Sequence, residues 1–210
     1  MFILGNDYKF PPVELASEEG IIALGGDLHP IRLLKAYKSG IFPWYNEGEP
    51  IIWYAPDPRM VLKPHEVYIS KSMRKILRDG QFKVSFNQSF EKVINACQTI
   101  HRKDQNGTWL TDDLKNSLIE LHDMGYAKSV EVWQGDTLVG GLYGIDLGDV
   151  FCGDSMFSYV SNASKVAFIY LCQYLEESDY KLLDCQIYNE HLASLGAYEI
   201  PREQYMRYLR

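Results

Sequence analysis

Nowhere in its 210 residues does the chain carry an apolar run long enough to span a bilayer, so no membrane-spanning helix is expected. Its start, Met1-Phe2-Ile3-Leu4-Gly5-Asn6-Asp7, has neither the basic flank nor the apolar length of a signal peptide, so the cytoplasm is the expected compartment. Cysteine is scarce. Cys97, Cys152, Cys172 and Cys185 form no C-x-x-C pair, and their wide scatter argues against a zinc site or a disulfide framework, leaving small buried hydrophobes. The five histidines are as scattered, with no H-x-x-x-H pair, so no metal is expected. Internal repeats and low-complexity tracts are also missing. Positive charge is in deficit: the net charge of -7 argues against indiscriminate nucleic-acid binding, so any such contact must come from a local basic face. The same surplus of acid suits a cationic partner.

What is present describes a globular protein. An apolar fraction of 46% with 23% charged residues can support a substantial core, and the length suits one domain plus an accessory unit. The first fifty-odd residues are rich in Pro, Gly and aromatics. Pro30 opens a helix that runs to about Lys38 and stops at Gly40. The Pro-rich stretch Ala55-Pro56-Asp57-Pro58-Arg59 forbids a continuing helix and marks a boundary, giving units 1–58 and 59–210. In the second unit Ser70 caps a helix through Leu77, Lys83 to Phe86 is a short strand, and Ser89 caps a helix over Phe90, Val93, Ile94 and Cys97. Thr111 starts another helix, with Leu114, Leu118 and Leu121 as its apolar stripe. Ser129 to Trp133, Thr137 to Ile145 and Val150 to Ser155 form an antiparallel meander with Gly-Asp turns. A helix capped by Asn162 or Ser161 follows, then a strand over Leu182–Ile187. The fold class is α+β.

Three features could carry chemistry. In the strand Leu183-Asp184-Cys185-Gln186-Ile187, alternation sends Leu183, Cys185 and Ile187 to one face and Asp184 with Gln186 to the other. A carboxylate and a carboxamide on an otherwise apolar strand are costly to bury unless each finds a partner. Upstream, the same alternation places Asp154 with Cys152 and Met156. Glu190 and His191, which follow the Asp/Gln strand, read as turn residues. Lys71, Arg74, Lys75 and Arg78 fall at i, i+3, i+4 and i+7, gathering four mutually repelling cations opposite Met73, Ile76 and Leu77; a phosphate backbone would favour them, and an ordinary solvated face is the alternative. Finally, Trp44, Trp53 and Trp109 lie in loop contexts, as core packing or as platforms on which a flipped base stacks. Gly107-Thr108-Trp109 follows the polar run Arg102-Lys103-Asp104-Gln105-Asn106.

Several strings in fixed order carry a resemblance over nearly the whole chain. They are Gly-Ile-Phe-Pro-Trp at 40–44, Ala-Pro-Asp-Pro-Arg at 55–59, Gly-Thr-Trp at 107–109, Glu-Val-Trp at 131–133 and Val-Gly-Gly-x-Tyr-Gly at 139–144. Phe-Cys-Gly-Asp-Ser-Met-Phe-Ser at 151–158, Asn-Ala-Ser-Lys at 162–165, Asp-Cys-Gln at 184–186 and Ser-Leu-Gly-Ala at 194–197 complete them. The chain resembles the bacterial leucyl/phenylalanyl-tRNA–protein transferases. The resemblance implies an aminoacyltransferase that moves Leu or Phe, and also Met, from aminoacyl-tRNA to the N-terminal Arg or Lys of acceptor proteins, marking them for N-end-rule degradation. It implies a small N-terminal α+β domain at 1–58 that contributes to the tRNA 3′-end site, and a GNAT-like, acetyltransferase-type domain at 59–210. The latter has a mixed, largely antiparallel sheet flanked by helices.

The pyrophosphate loop of acetyl-CoA enzymes is absent, which suits a different acyl donor. Aminolysis of an already activated ester needs no cofactor for energetic reasons. By the resemblance Asp184 orients and polarises Gln186, whose carbonyl oxygen positions the attacking amine, and Asp154 helps to hold the cationic acceptor. Leu142, Phe151, Gly153, Phe168, Leu171 and Leu183 match the donor side-chain pocket. Trp44 and Trp109 match the residues that sandwich the terminal adenosine, and Lys71, Arg74, Lys75 and Arg78 match a tRNA-facing cluster. The expected partners are Leu-tRNA, Phe-tRNA and the acceptor protein, with no membrane and a monomeric chain. The chain departs from the family at Asp154, where a Glu is common. A transferase with altered acceptor preference and a non-catalytic tRNA- or degron-binding module are the alternatives.

Overall fold

The proline-rich segment at 55–59 separates two sheets. A computed structural model describes residues 2–100 and 109–209; the polar run at 102–106, Gly107 and Thr108 lie outside the described residues. Ahead of the boundary, β1 (Phe2–Leu4), β2 (Ile21–Gly25), β3 (Phe42–Pro43) and β4 (Ile52–Tyr54) form a four-stranded sheet in the order β1-β2-β4-β3. Helix α1 (Pro30–Lys38) starts where expected, with His29 Nδ1 accepting from the backbone N–H of Ile31. Arg32 from this helix is buried and ties the N-terminal strand down through Asp27 and the carbonyls of Gly5 and Asp7. Trp53 is core, its indole N–H bonded to the Gly25 carbonyl.

Beyond the boundary, β5 (Arg59–Leu62), β6 (Lys83–Phe86), β7 (Ala127–Gln134), β8 (Thr137–Asp146), β9 (Val150–Ser158), β10 (Leu182–Gln186) and β11 (Tyr198–Ile200) form a seven-stranded sheet. Its order is β11-β5-β10-β9-β8-β7-β6. Among the described residues of this sheet only β9 and β10 pair in parallel, joined by helix α5 (Ala163–Glu177); its other neighbours are antiparallel. This is the expected α+β arrangement, with the meander longer at its end than the sequence indicated. Helices α3 (Phe90–Thr99) and α4 (Asp112–Asp123) cover one face with the N-terminal unit, and α2 (Lys71–Asp79) with α5 covers the other. Two short helices, α6 (Glu190–Ala193) and α7 (Arg202–Met206), close the chain.

Local polar chemistry explains where the helices begin. Ser70 and Thr111 accept from the N–H groups of Met73 and Leu114, as their sequence positions suggest. Ser89 does not cap α3 with its side chain. Buried Glu131 does the work instead, receiving the Ser85 and Ser129 hydroxyls and the backbone N–H groups of Gln88 and Ser89. Asn162 stands at the N-cap of α5 as expected, but it is left-handed at φ 70° and makes no cap bond with its side chain; the Ser158 hydroxyl takes the N–H of Ser164 instead. Both substitutes come from strands brought alongside by the sheet, which local sequence does not show.

Candidate active site

Two bulges shape the centre of the sheet. In β9 the register against β8 shifts so that Asp154 is the extra residue, between the pairs Tyr143↔Ser155 and Gly144↔Gly153. Sides exchange across it: Cys152 packs into the core beside α3, whereas Met156 packs toward α5. The expected grouping of Asp154 with both is therefore corrected. In β10 the register against β5 shifts between Asp184 and Gln186, leaving Cys185 as the extra residue. Leu183 and Cys185 share the α5 side as anticipated, while Asp184 points to the other. Alternation fails after that. Gln186 ends the strand at φ 66°, and Ile187 is 37% exposed rather than on the buried face. A bulge bends its strand and re-aims a side chain. The parallel pairing of β9 with β10 stops at Asp184↔Cys152, and past that point a wedge opens between them.

A cavity of about 430 Å³ fills this wedge. Gly153, Asp154 and Met156 form one wall, Leu183 to Asn189 another, and Leu142, Phe168 and Leu171 the apolar floor. Phe42, Pro43, Trp44 and Trp109 line it from the N-terminal unit and from the residues just before α4, and Trp44 is 42% exposed. Of the six residues matched to the donor pocket, only Phe151 is not on the wall; it is buried behind it, its ring lying over Gly144. His191 lines the cavity as well, so it is more than the turn residue its context suggested. Burial, and then the charge of Lys165, hold its imidazole below the usual range and toward the neutral form.

The polar groups are tied in a definite order. Asp184 is buried and takes both a 2.8 Å bond from Arg59 Nε and a 2.7 Å bond from Arg59 Nη2. The Tyr205 hydroxyl donates to it at 2.8 Å and the backbone N–H of Gln186 at 2.9 Å. The Gln186 carboxamide does not meet Asp184. Its Nε2 reaches across the wedge to Asp154 Oδ1 at 2.9 Å, and Tyr37 donates its hydroxyl to Asp154 Oδ2 at 2.8 Å. An ionised Asp154 can only accept, which sets the carboxamide nitrogen toward it and leaves Gln186 Oε1 for an occupant. Burial pushes the Asp154 carboxyl up to about 7, against the hydrogen bonds from Tyr37 and Gln186 that favour its charged form; the charge of Asp184 adds to the rise and Arg59 opposes it. Part of Asp154 still faces the cavity, where solvent tempers the rise. Burial likewise raises Tyr37 and Tyr205, with the adjacent carboxylates Asp154 and Asp184 adding to the effect.

The structure brings Asp154, Asp184 and Gln186 to one cavity, and it adds Arg59, Tyr37 and Tyr205, which sequence reading missed. Arg59 was visible only as the last letter of a proline-rich string. Tyr37 lies within an amphipathic helix and Tyr205 near the C-terminus, with no local sign of either contact. The four cations of α2 are all exposed, with Met73, Ile76 and Leu77 turned inward, and among the described residues none of the four pairs with an acid. No helix among the described residues is long and apolar enough to cross a membrane.

Comparison with known proteins bears on this geometry. A sequence profile described as leucyl/phenylalanyl-tRNA protein transferase matches residues 61–210, and its N-terminal-domain counterpart matches residues 26–57. A leucyl/phenylalanyl-tRNA–protein transferase of Flavobacterium johnsoniae is 63% identical over all of this chain and 99% of its own length. Its counterpart in Christiangramia forsetii is 55% identical over the whole of both chains. A solved GCN5-related N-acetyltransferase from Kribbella flavida overlaps 80% of this chain and 59% of its own at 10% identity, with a TM-score of 0.39.

Proposed function

The chain belongs to the leucyl/phenylalanyl-tRNA protein transferase family, and on that premise we propose how its wedge carries out the transfer. The protein is an aminoacyltransferase that moves leucine or phenylalanine from aminoacyl-tRNA to a protein. The acceptor is a chain that begins with Arg or Lys. The donor side chain enters the floor made by Leu142, Phe168, Leu171, Leu183 and Gly153, with Phe151 backing the wall. Such a pocket selects by volume, so Met is accepted as well. The terminal adenosine stacks between Trp44 and Trp109, Trp44 being the contribution of the 1–58 unit to the 59–210 catalytic unit. The exposed face of α2, Lys71, Arg74, Lys75 and Arg78, meets the tRNA backbone. On this reading the working unit is a monomer.

The contact between Gln186 and Asp154 carries this reading. Attack by the acceptor's α-amine forms a C–N bond and breaks the ester C–O bond to the ribose. The amine loses a proton and the ribose oxygen gains one, so the neutral reactants balance without a further reagent. Gln186 Oε1 accepts a hydrogen bond from the amine and sets its line of attack. Asp154 supplies negative charge beside it, favouring the cationic acceptor terminus. The test is transfer of labelled leucine from Leu-tRNA to peptides that begin with Arg, Lys or Ala. Transfer to the first two alone is expected. Binding of tRNA without transfer to any peptide would refute the enzyme reading and leave a binding module.

A further inference from the structure

Asp184 is saturated. A carboxylate offers about four lone-pair positions. Here they meet Arg59 Nε, Arg59 Nη2, the Tyr205 hydroxyl and the Gln186 backbone N–H. Nothing is left over for the Gln186 carboxamide or for an incoming amine. Paired in this way with Arg59, Asp184 also brings no net charge to the reacting atoms. Among the described residues, its hydrogen-bond link to Gln186 is the backbone N–H of that residue, which lies in the left-handed region at φ 66°, a conformation a glutamine avoids because its Cβ meets the following carbonyl oxygen. That turn points the carboxamide at Asp154, so whatever fixes Asp184 fixes the aim of Gln186.

The parts that fix it come from three distant segments. Arg59 is buried between the rings of Phe42 and Tyr205, 4.9 and 4.6 Å from their centroids, and its Nη1 donates to the Gly40 carbonyl at 3.1 Å. Gly40 is itself left-handed at φ 73°, and Met206 of α7 fills the place a Cβ would take. The end of α1, the first residue of β5 and the C-terminal helix thus converge on one carboxylate. We infer that Arg59 and Tyr205 are positioning residues for the transfer: by clamping Asp184 they hold the left-handed turn that aims Gln186 across the wedge. The inference rests on the reading of Gln186 as the group that meets the amine.

Leucine transfer from Leu-tRNA to an Arg-starting peptide, followed on the full chain well below each variant's melting midpoint, tests it. Tyr205→Phe removes one hydrogen bond without changing volume; kcat should fall about tenfold while KM for tRNA and for peptide stays within about twofold. Arg59→Lys keeps the charge but loses the fork and the stacking, and should fall further. In a Gln186→Ala chain, adding Tyr205→Phe should change the residual rate by less than about twofold, because the turn has nothing left to aim. An unaltered kcat in Tyr205→Phe with only a lowered melting midpoint would make the clamp merely structural. So would a further tenfold loss in the Gln186→Ala chain. A wild-type chain that transfers nothing would instead overturn the functional reading itself.

Discussion

Replacing Asp184 by alanine should cost the protein its stability as well as its chemistry. The substitution strips Arg59 of the partner that holds two of its donors and leaves a buried guanidinium bonded only to the Gly40 carbonyl. Burial alone disfavours the charged guanidinium, and it is Asp184 that outweighs this and holds Arg59 above its usual range. Removing one member of such a buried pair costs about 3–5 kcal/mol. For a chain of this length each kcal/mol moves the melting midpoint by roughly 2–4 °C, so the expected drop is about 6–20 °C. Replacing both partners by apolar residues of similar volume, Asp184→Leu with Arg59→Met, should recover much of that loss, because no charge is then left unpaired. Thermal unfolding followed by circular dichroism compares the three chains. Transfer should be absent from both variants even below their midpoints, since neither holds the Gln186 turn. A midpoint for Asp184→Ala within about 2 °C of wild type would refute a dry, saturated ion pair, since that pair is what sets the 3–5 kcal/mol scale.

Asp154 should give stability a pH signature: its carboxyl is raised to about 7 from an ordinary value of 3.8, so the folded state favours the protonated acid. That contribution is complete below about 4 and is lost as pH climbs through 7; Asp154→Asn should flatten the decline between those values in urea unfolding, and an unchanged slope would refute it. Reversing Arg74 and Lys75 to Glu should weaken tRNA binding and lower the salt slope by about two, with thermal stability unaltered because both side chains are exposed; an equal slope would mean that the face touches only solvent. At Gly153 a Cβ would meet Leu183 Cδ1 at 3.6 Å and the Asp184 carbonyl at 3.7 Å, ordinary contacts, so Gly153→Ala should fold normally. Its methyl narrows the cavity and should lower Phe transfer relative to Leu by about tenfold; an unchanged ratio would take Gly153 off the donor wall.

Much of this protein could be read from local sequence because local physics sets it. Pro30, the Ser70 and Thr111 caps, Gly80 and Gly125 place helix ends through interactions within one turn. The four cations of α2 face outward because helical spacing alone opposes them to Met73, Ile76 and Leu77. Asp184 and Gln186 stood out because polar groups on an apolar strand demand partners.

The identity of those partners was a tertiary matter. A bulge at Asp154 and another at Cys185 break the period-two rule on which the strand reading rested, and whether a strand bulges depends on its neighbour's register rather than its own residues. Hence alternation set Asp184 and Gln186 side by side on one face, and the resemblance implied that the carboxylate polarises the carboxamide, whereas in the folded chain Asp184 takes the backbone N–H of Gln186 and the carboxamide goes to Asp154. Arg59, Tyr37 and Tyr205 lie 125, 117 and 21 residues from the carboxylates they serve. No local pattern encodes such contacts, because they form only when the sheet order sets β5 beside β10 and the C-terminal helix packs over both. The sequence determined which residues would need partners; the tertiary structure decided which partners they found, and with that which carboxylate stays partly open to the cavity and which is buried with its acceptor positions taken.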